Sequence, residues 1–283
     1  DSYNSYYHCF IEMKIFKDRH TLRKEILKTE KISFIPTMGG LHKGHISLIK
    51  QSRKSRLKTL VSIFVNPKQF NKKSDFRSYP RNTKEDIKLL KKLKINYLYT
   101  PTFNDIYGFK PKNKVFMDKS SKKLCGKFRK GHFDGVLNVV NRFIEVIKPK
   151  YIYLGKKDYQ QLYLIKKHIK KRNIKSKIIE CKTIRENNGI ACSSRNSNLN
   201  KNQVKIASNI FHYLSNLKKR IKKNNHLFNT NKIKKDLINL GANKIDYLES
   251  YNVNNFKKIT KPNKKFNLFF AYYIKNIRLI DNI

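Results

Sequence analysis

The sequence predicts an α/β protein in which a Rossmann-like parallel sheet, with helices on both faces, is followed by a smaller α+β domain. Three observations lead to this prediction. Short segments rich in Ile, Val, Phe and Tyr alternate with segments whose apolar residues recur at helical spacing, a pattern typical of βαβ units. A glycine-rich turn follows the first strong strand. After about residue 185 the alternation gives way to a polar, turn-rich stretch and a different order of elements.

The first part of the chain, 1–184, is predicted to be one domain that binds ligands. Strands are expected at 32–36, 60–66, 97–101, 151–155 and 177–183, and helices at 46–54, 83–93, 136–147 and 159–171. In the last helix Leu162, Ile165 and Ile169 have helical spacing, and lysines occupy the other face. Because strands that alternate with helices form parallel sheets, we expect ligands at the carboxyl ends of the strands.

The second part, 185–283, is predicted to be a smaller α+β domain. It opens with the polar stretch "RENNGIACSSRNSNLN". Helical patterns follow at 203–223 and 231–240, and short apolar stretches at 245–248, 268–274 and 277–280 indicate a small sheet.

The net charge of +46 is the most conspicuous feature of the composition. Such a charge favours nucleic-acid binding, because a basic surface releases counterions from phosphate. However, only 13 of the 65 basic residues are Arg, Ala occurs four times, and Lys, Asn and Ile abound. The lysines are also spread along the whole chain. We therefore interpret the charge as a result of A/T-rich codon usage, and we expect no specific nucleic-acid partner.

The apolar runs, the first residues and the cysteines indicate where in the cell the protein is expected. No apolar run reaches the ~18 residues needed to cross a bilayer, so no membrane association is expected. The stretch "DSYNSYYHCFIEMK" lacks the basic and apolar regions of a secretory signal, and residues 1–12, ahead of Met13, are interpreted as an extension without function. Cys9, Cys125, Cys181 and Cys192 have no paired or metal-type spacing, which favours a reducing, cytoplasmic location.

The stretch "FIPTMGGLHKGHISLIK", 34–50, contains the first candidate site. Its adjacent glycines allow backbone to approach a ligand closely, and a helix beginning near His45 would point free N–H groups at the same place. His42 and His45 are three residues apart and share one face of that turn. These features suit the phosphates of a nucleotide, with imidazoles donating to oxygens on which charge builds. The structural alternative is a glycine-rich turn with two surface histidines.

Polar residues at other predicted strand ends add further candidates. In "SIFVNPKQF", 62–70, Asn66 and Gln69 are neutral amides that suit hydroxyl and carboxylate oxygens. In "GKFRKGHFDGVLNVVNRF", 126–143, Arg129 and His132 precede an apolar helix. The stretches "YLGKKDYQQLYLIKK", 153–167, and "IACSSRN", 190–196, offer lysines, hydroxyls and an arginine suited to phosphate. Taken singly, each is also explained as a turn, a helix cap or a linker.

As a set, seven ordered blocks resemble the pantothenate synthetase family, the pantoate–β-alanine ligases of the HxGH nucleotidyltransferase superfamily. The blocks are "PTMGGLHKGH", "SIFVNPKQF", "YPR", "GHFDGV", "GKKDYQQL", "CSSRN" and "RLIDN", and the resemblance spans 13–283. It implies an AMP-forming ligase that condenses (R)-pantoate with β-alanine through a pantoyl adenylate, with release of diphosphate. It also implies a homodimer, a C-terminal domain that acts as a lid, ATP as a substrate and Mg²⁺ as its companion.

The resemblance also implies roles for individual residues. His45 would be the proton donor, with His42 beside it. Gln69 would contact pantoate and β-alanine, and Gln161 would contact pantoate. The ATP site would comprise Met38, Gly39, Gly40, Leu41, His42, Lys43, Gly44, His45, Gly155, Lys156, Lys157, Asp158, Ile184, Cys192, Ser193, Ser194 and Arg195. No residue is assigned as a resident metal ligand.

The chain departs from the family pattern at three places. Lys156 stands where the family usually has Glu, Cys192 where it has Leu, and Lys130 where it has Pro. These changes leave the chemically distinctive residues in place, although Lys156 adds a positive charge beside the predicted phosphate site.

Two other functions are compatible with parts of the sequence. The charge would suit a relative of class I aminoacyl-tRNA synthetases, but the chain has no Lys-Met-Ser-Lys-Ser-like motif and no anticodon-binding extension. A binding protein without catalysis, for example for RNA, is the second alternative. Affinity that falls steeply with added salt would distinguish it.

Overall fold

Six strands form one parallel sheet in the computed structural model, which describes residues 12–28, 31–224, 229–259 and 265–283. The strands are β1 Lys14–Phe16, β2 Ile32–Thr37, β3 Lys58–Ile63, β4 Tyr97–Tyr99, β5 Tyr151–Gly155 and β6 Lys177–Cys181. Their order is β1–β4–β3–β2–β5–β6, and every pairing is parallel. The predicted parallel sheet is therefore confirmed. Residues 1–11, with Cys9 and nearly all of the predicted extension, lie outside the described residues.

Ten α-helices lie in the described part of the chain. They are α1 Arg19–Ile26, α2 Lys43–Arg53, α3 Lys73–Arg77, α4 Thr83–Lys92, α5 Phe103–Tyr107, α6 Cys125–Phe128, α7 His132–Ile147, α8 Tyr159–Lys171, α9 Lys201–Asn224 and α10 Thr230–Asn239. Short 3-10 turns occur at Pro67–Gln69, Lys119–Lys122, Lys156–Asp158 and Ser194–Asn198. None of these helices is long and apolar enough to cross a membrane.

The period-two alternation of the strands divides the apolar core between two faces of the sheet. On β2, Phe34 joins a cluster with α1, α7 and α8, whereas Ile35 joins a second cluster with α2 and α4. On β5, Ile152 belongs to the first cluster and Tyr153 to the second. Both faces are thus covered by helices, as expected for a parallel sheet.

The strand order creates a switch point between β2 and β5. From β2 the chain proceeds outward through β3 to β4, and it then crosses back to begin β5 and β6 on the other side. The carboxyl ends of β2 and β5, at Thr37 and Gly155, therefore diverge from a common crevice. Crevices of this kind are where open α/β sheets bind ligands.

A second, smaller unit contains an antiparallel sheet of three strands, β7 Lys244–Asn252, β8 Phe266–Ile274 and β9 Ile277–Asn282. On β8, Phe270 and Tyr272 pack with α9 and α10. The intervening Phe269 and Ala271 belong to the same cluster as α7 and α8 of the first unit. The predicted α+β class of this part is confirmed, whereas the boundary between 184 and 185 stays a prediction.

Contacts between the two units are made mostly by aromatic residues. Tyr163 of α8 stacks on Phe256 with ring centroids 4.9 Å apart, and Tyr159 meets Phe269 edge to face. The Tyr159 hydroxyl also donates to the carbonyl oxygen of Val253 at 2.9 Å. The small sheet is consequently packed on both faces, by its own helices and by the larger unit.

Several predicted boundaries differ from those of the structure. The strand expected at 60–66 is β3 at Lys58–Ile63, because the Asn66 side chain accepts the Lys68 N–H and starts a 3-10 turn at Pro67. The strand expected at 245–248 extends to Asn252 through a bulge near Ile245. β1 was not predicted, since three residues are too few to display a periodicity.

Gly135 lies where α7 closely approaches the turn that carries Gln69. A Cβ added at Gly135 would lie 2.2 Å from the Lys68 carbonyl oxygen and 2.6 Å from the Gln69 nitrogen. We expect Gly135→Ala to lower the free energy of unfolding by about 3 kcal/mol, measured by urea denaturation.

Gly155→Ala is the control for this experiment. A Cβ at Gly155 would meet nothing within 4 Å, and its backbone angles of −78° and 138° suit any residue. Its free energy of unfolding should change by less than about 0.5 kcal/mol. Equal effects of the two substitutions would show that α7 can shift to accommodate the methyl group.

Candidate functional site

A cavity of about 270 Å³ opens at the switch point, between the carboxyl ends of the parallel strands and the small sheet. Fourteen of the nineteen residues predicted for the site line it: Met38, His42, Gly44, His45, Gln69, Gly155, Lys157, Asp158, Gln161, Ile184, Cys192, Ser193, Ser194 and Arg195. The structure therefore brings together five stretches that are far apart in the sequence. Gly39, Gly40, Leu41, Lys43 and Lys156 do not line the cavity.

The glycine-rich turn is held from behind by a buried carboxylate. Gly39 and Gly40 have φ of 81° and 61°, which explains the need for glycine at both positions. The N–H groups of Gly40 and Leu41 donate to the two oxygens of Asp86, each at 2.8 Å, and Asp86 is 3% exposed. These amides therefore point away from the cavity. The expectation that they approach a ligand directly does not agree with this geometry.

The two histidines also satisfy backbone amides of the turn. α2 begins at Lys43 rather than near His45, and His42 is its N-cap. The His42 Nδ1 accepts the Gly44 N–H at 3.1 Å, and the His45 Nδ1 accepts the His42 N–H at 3.3 Å. Since Nδ1 is the acceptor in both rings, the proton of each neutral imidazole resides on Nε2. The turn thus presents imidazole N–H donors rather than bare helix amides.

Burial keeps both imidazoles neutral. It lowers the pKa of His42 to about 4, and the nearby Lys157 ammonium contributes in the same direction. It lowers the pKa of His45 to about 3, with the neighbouring His42 as a smaller cause. The ring centroids are 4.2 Å apart. Near neutral pH both rings are therefore neutral, and their Nε2–H groups can donate hydrogen bonds to an anion.

Of the two predicted amides, Gln69 lines the cavity and Asn66 supports it. Asn66 is 1% exposed and donates to the Gln69 side-chain oxygen at 3.2 Å and to the Gly135 carbonyl at 3.1 Å. Because its oxygen is occupied, Gln69 directs its NH₂ group to the Met38 sulfur at 3.0 Å. A thioether is a weak acceptor, so these N–H groups are available to a better one.

Arg129 and His132 hold the backbone of the same glutamine. His132 Nδ1 lies 2.8 Å from the Gln69 carbonyl oxygen, and Arg129 donates to His132 Nε2 at 3.1 Å and to that carbonyl at 3.3 Å. His132 must therefore donate from Nδ1. Burial, together with the Arg129 charge, lowers the pKa of His132 to about 3 and keeps the ring neutral.

The turn after β5 presents one lysine and one carboxylate to the cavity. Lys157 Nζ lies 3.3 Å from the Asp158 carboxylate. Burial opposes ionisation of Asp158, but Lys157 and Arg195 outweigh it and hold the pKa below its usual range. Lys156 instead pairs with Glu180 of β6 at 3.4 Å. The positive charge added at position 156 is thus neutralised outside the cavity.

A clamp from β9 fixes this turn from the other unit. The side-chain NH₂ of Asn282 donates to the carbonyl oxygens of Lys156 and Lys157 at 2.9 and 2.8 Å. Asn267 donates to the Asn282 side-chain oxygen at 2.8 Å, which sets the orientation of the amide. Next to it, Arg185 forms two hydrogen bonds with Asp281, at 2.6 and 3.2 Å. The "RLIDN" block therefore joins the two units at the cavity.

The 192–195 stretch closes another wall. The Cys192 thiol donates to Glu186 at 3.1 Å, and burial followed by this carboxylate raises the pKa of Cys192 to about 11. Glu186 also pairs with Lys43 at 2.8 Å, which accounts for the absence of Lys43 from the cavity. Cys125, Cys181 and Cys192 are all free thiols.

Several residues in or around the cavity received no role from the resemblance, although Arg129 and His132 were candidates from the sequence. Tyr79, Arg129, His132, Asp281 and Asn282 line it, Asp75 contacts Arg195 of its wall, and Asp86 holds the adjacent glycine-rich turn. The blocks "YPR", "GHFDGV" and "RLIDN" contain or border the five lining residues, so the motifs were visible although the roles were not. Asp75 and Asp86 carry no motif signal, because isolated acids between lysines resemble a solvated helix face.

Together, the fold and the cavity define a class of protein: an α/β nucleotide-binding enzyme with a cavity at the switch point of a parallel sheet. Comparisons with known proteins identify the family within that class. The family model described as pantoate-beta-alanine ligase matches residues 13–283. The chain belongs to this family.

Individual relatives agree with the family match. A pantothenate synthetase of Francisella tularensis subsp. novicida is 39% identical over 277 residues, 94% of each protein. The crystal structure of a pantoate-beta-alanine ligase from Francisella tularensis, complexed with beta-gamma ATP and beta-alanine, has a TM-score of 0.80 at 37% identity and covers 96% of this chain and 97% of that one. A pantothenate synthetase from Thermus thermophilus has a TM-score of 0.85 at 26% identity, over 96% and 99%.

Four histidines held neutral by burial predict a stability that falls with acid. Besides His42, His45 and His132, His168 is fully buried, and burial lowers its pKa to about 4. Between pH 6.5 and about 4 the unfolded chain binds protons that the folded chain does not. The free energy of unfolding should therefore decrease as pH falls, by about 1 kcal/mol per pH unit for each histidine. Urea denaturation at pH 7.5, 6.5 and 5.5 measures this, and His45→Gln should have a shallower slope. Parallel slopes would contradict a neutral His45.

Asn282→Asp tests the clamp from β9. A carboxylate oxygen would replace the NH₂ donor opposite the carbonyl oxygens of Lys156 and Lys157, so the turn that carries Lys157 should shift. We expect kcat of the ligation to fall about tenfold, equivalent to ~1.4 kcal/mol, with an unchanged circular dichroism spectrum. The control is Asn243→Asp in the same unit, where the side chain accepts the Lys275 N–H and a carboxylate keeps that bond. If both variants retain parental kinetics, the clamp does not position the turn.

Proposed function

We propose that the cavity condenses pantoate with β-alanine in two steps, through an enzyme-bound pantoyl adenylate. The overall reaction is that of the ligase family to which the chain belongs. The observation that carries the two-step proposal is the gathering of two neutral imidazoles, Lys157 and Arg195 in one cavity with the amides of Gln69 and Gln161. The first set suits a phosphate chain, and the second suits a small hydroxy acid.

In the first step the pantoate carboxylate attacks the α-phosphorus of ATP. An O–P bond forms, the bond from the α-phosphorus to the bridging oxygen breaks, and its electron pair leaves with diphosphate. The carboxylate is already anionic near neutral pH, so no strong base is needed. The chain must instead align the groups and stabilise the spreading negative charge. Lys157, Arg195 and the imidazole N–H groups of His42 and His45 have the charge and donors for this task.

In the second step the neutral amine of β-alanine attacks the acyl carbon of the adenylate. A C–N bond forms, the C–O bond to phosphate breaks, AMP leaves, and the nitrogen loses a proton to water. Gln69, whose NH₂ group is oriented by Asn66, is proposed to contact both pantoate and β-alanine, and Gln161 to contact pantoate. The similar Francisella ligase forms a complex with beta-gamma ATP and beta-alanine, which supports ATP and β-alanine as substrates here.

The remaining predicted ATP contacts are proposed to follow the resemblance. Met38, Gly44, Gly155, Ile184, Cys192, Ser193 and Ser194 line the cavity. Gly39, Gly40, Leu41, Lys43 and Lys156 do not, and we propose that they act by shaping the turns that carry His42 and Lys157.

Mg²⁺ is proposed to accompany ATP. No cluster of three or more His, Cys, Asp or Glu that could hold a metal exists within the described ranges. Asp158 nevertheless fits, because it is ionised and part of the cavity wall. Proteins usually hold Mg²⁺ through one or two carboxylates plus substrate phosphates. When bound, the ion would neutralise phosphate charge.

We further propose a homodimer in the cytoplasm without a specific nucleic-acid partner. The dimer follows from the resemblance. The free thiols of Cys125, Cys181 and Cys192 support a reducing compartment. The dispersion of the lysines supports the absence of a nucleic-acid footprint.

Isotope exchange tests the two-step mechanism. With pantoate, ATP and Mg²⁺ but no β-alanine, labelled diphosphate should be incorporated into ATP, because the adenylate step is reversible by itself. Omission of pantoate should abolish the exchange. Exchange that requires β-alanine would argue against a separate adenylate.

His45→Ala should slow this exchange strongly. Removal of one donor that stabilises developing charge typically costs ~3 kcal/mol, a factor of about 10² in rate. His20→Ala, at an exposed position that does not line the cavity, is the control. An exchange rate within about threefold of the parent for His45→Ala would remove His45 from the chemistry.

A further inference from the structure

Two arginines converge on the cavity from different parts of the chain. Arg129 precedes α7, and Arg195 lies in the 3-10 turn Ser194–Asn198. Their side chains are only 11% and 27% exposed. Burial, and then the neighbouring charge of Arg195, lowers the pKa of the Arg129 guanidinium. Two like charges that are this close and poorly solvated require an anion between them.

The carboxylate of Asp75 is that anion. Arg195 Nη2 donates to both Asp75 oxygens at 3.0 Å, and Arg129 Nη2 lies 3.9 Å from Oδ2. Asp75 is 32% exposed, more than either arginine. The carboxylate therefore occupies N–H groups of Arg195 that a phosphate would use, and it lies within ion-pair distance of Arg129.

The element that carries Asp75 is weakly anchored. α3 has five residues, none of them buried, and its N-cap makes no side-chain hydrogen bond. Phe76 packs on Phe70, and Arg81 donates to the Phe76 carbonyl. Few apolar contacts besides those of Phe76 oppose a displacement of α3, and the ionic contact of Asp75 with the arginines ties the helix to the cavity wall.

We propose that Arg129 and Arg195 form one site for the phosphate chain of ATP or of diphosphate, and that Asp75 is an internal competitor for it. The phosphate identity of the anion rests on the proposed function. Because the Nη2 hydrogens of Arg195 point at Asp75, a phosphate that takes these donors must displace Asp75, and α3 with it. When diphosphate departs, Asp75 returns and neutralises the pair. The apparent affinity is reduced to the fraction of time in which the arginines are free of Asp75, so an occupancy of about four-fifths gives an affinity about fivefold weaker.

Asp75→Asn tests this competition, since asparagine has nearly the same size but no charge. Isothermal titration of the purified protein with diphosphate, and separately with ATP, gives the dissociation constants. We expect both ligands to bind at least about fivefold more tightly to the variant. Adenosine, which has no phosphate, should bind both proteins equally.

Glu25→Gln is the matched control. It changes the net charge by the same amount, and Glu25 pairs with Lys14 and does not line the cavity. Its diphosphate affinity should change less than about twofold, which separates local competition from the general effect of one charge. Thermal melts of both variants verify folding.

The competitor proposal fails if Asp75→Asn binds diphosphate no more tightly than Glu25→Gln does, because Asp75 would then only orient the arginines. It fails also if adenosine binding rises in parallel. Absence of pantoate-dependent exchange in the parent protein would instead refute the proposed function. Since the titration needs no turnover, the two failures are distinguishable.

Discussion

The contact between Asp86 and the glycine-rich turn underlies the rest of the site. Two left-handed glycines bend the chain so that successive amides face inward, and one buried carboxylate accepts two of them. With these donors satisfied, the turn offers side chains to the cavity. His42 and His45 then complete the arrangement, because each takes one amide on Nδ1 and leaves Nε2 as a donor. A single carboxylate thereby fixes the tautomer of both rings indirectly.

Charge is arranged in pairs throughout the cavity wall. Lys157 faces Asp158, Arg195 faces Asp75, and Arg185 faces Asp281. A chain with 65 basic and 19 acidic residues thus directs several of its few carboxylates to this region. Most of the lysines lie on exposed positions elsewhere, which agrees with a basic surface that is unrelated to the chemistry. Lys156 follows the same principle, since Glu180 neutralises it away from the cavity.

The fold class and most of the cavity were predictable because both depend on local patterns. Strand and helix periods, together with glycines at strand ends, indicated the parallel sheet and its ligand-binding edge. The role of Asn66 was not predictable, because an amide after a strand has the same pattern whether it contacts a ligand or supports Gln69. Asp75 and Asp86 could not be found either, since their partners lie 120 and 46 residues away. Strand β1 was not predicted because it is too short to display a periodicity.

The continuous apolar cluster between the two units has a consequence for unfolding. Phe256, Phe269 and Tyr251 share one core with the strands and helices of the larger unit, and the small sheet has no face of its own to expose. Separation of the units would transfer these aromatic rings into water, at about 25 cal/mol for each Å² uncovered. We therefore expect the two units to unfold together, so that a ligand bound between them would stabilise the whole molecule rather than one half.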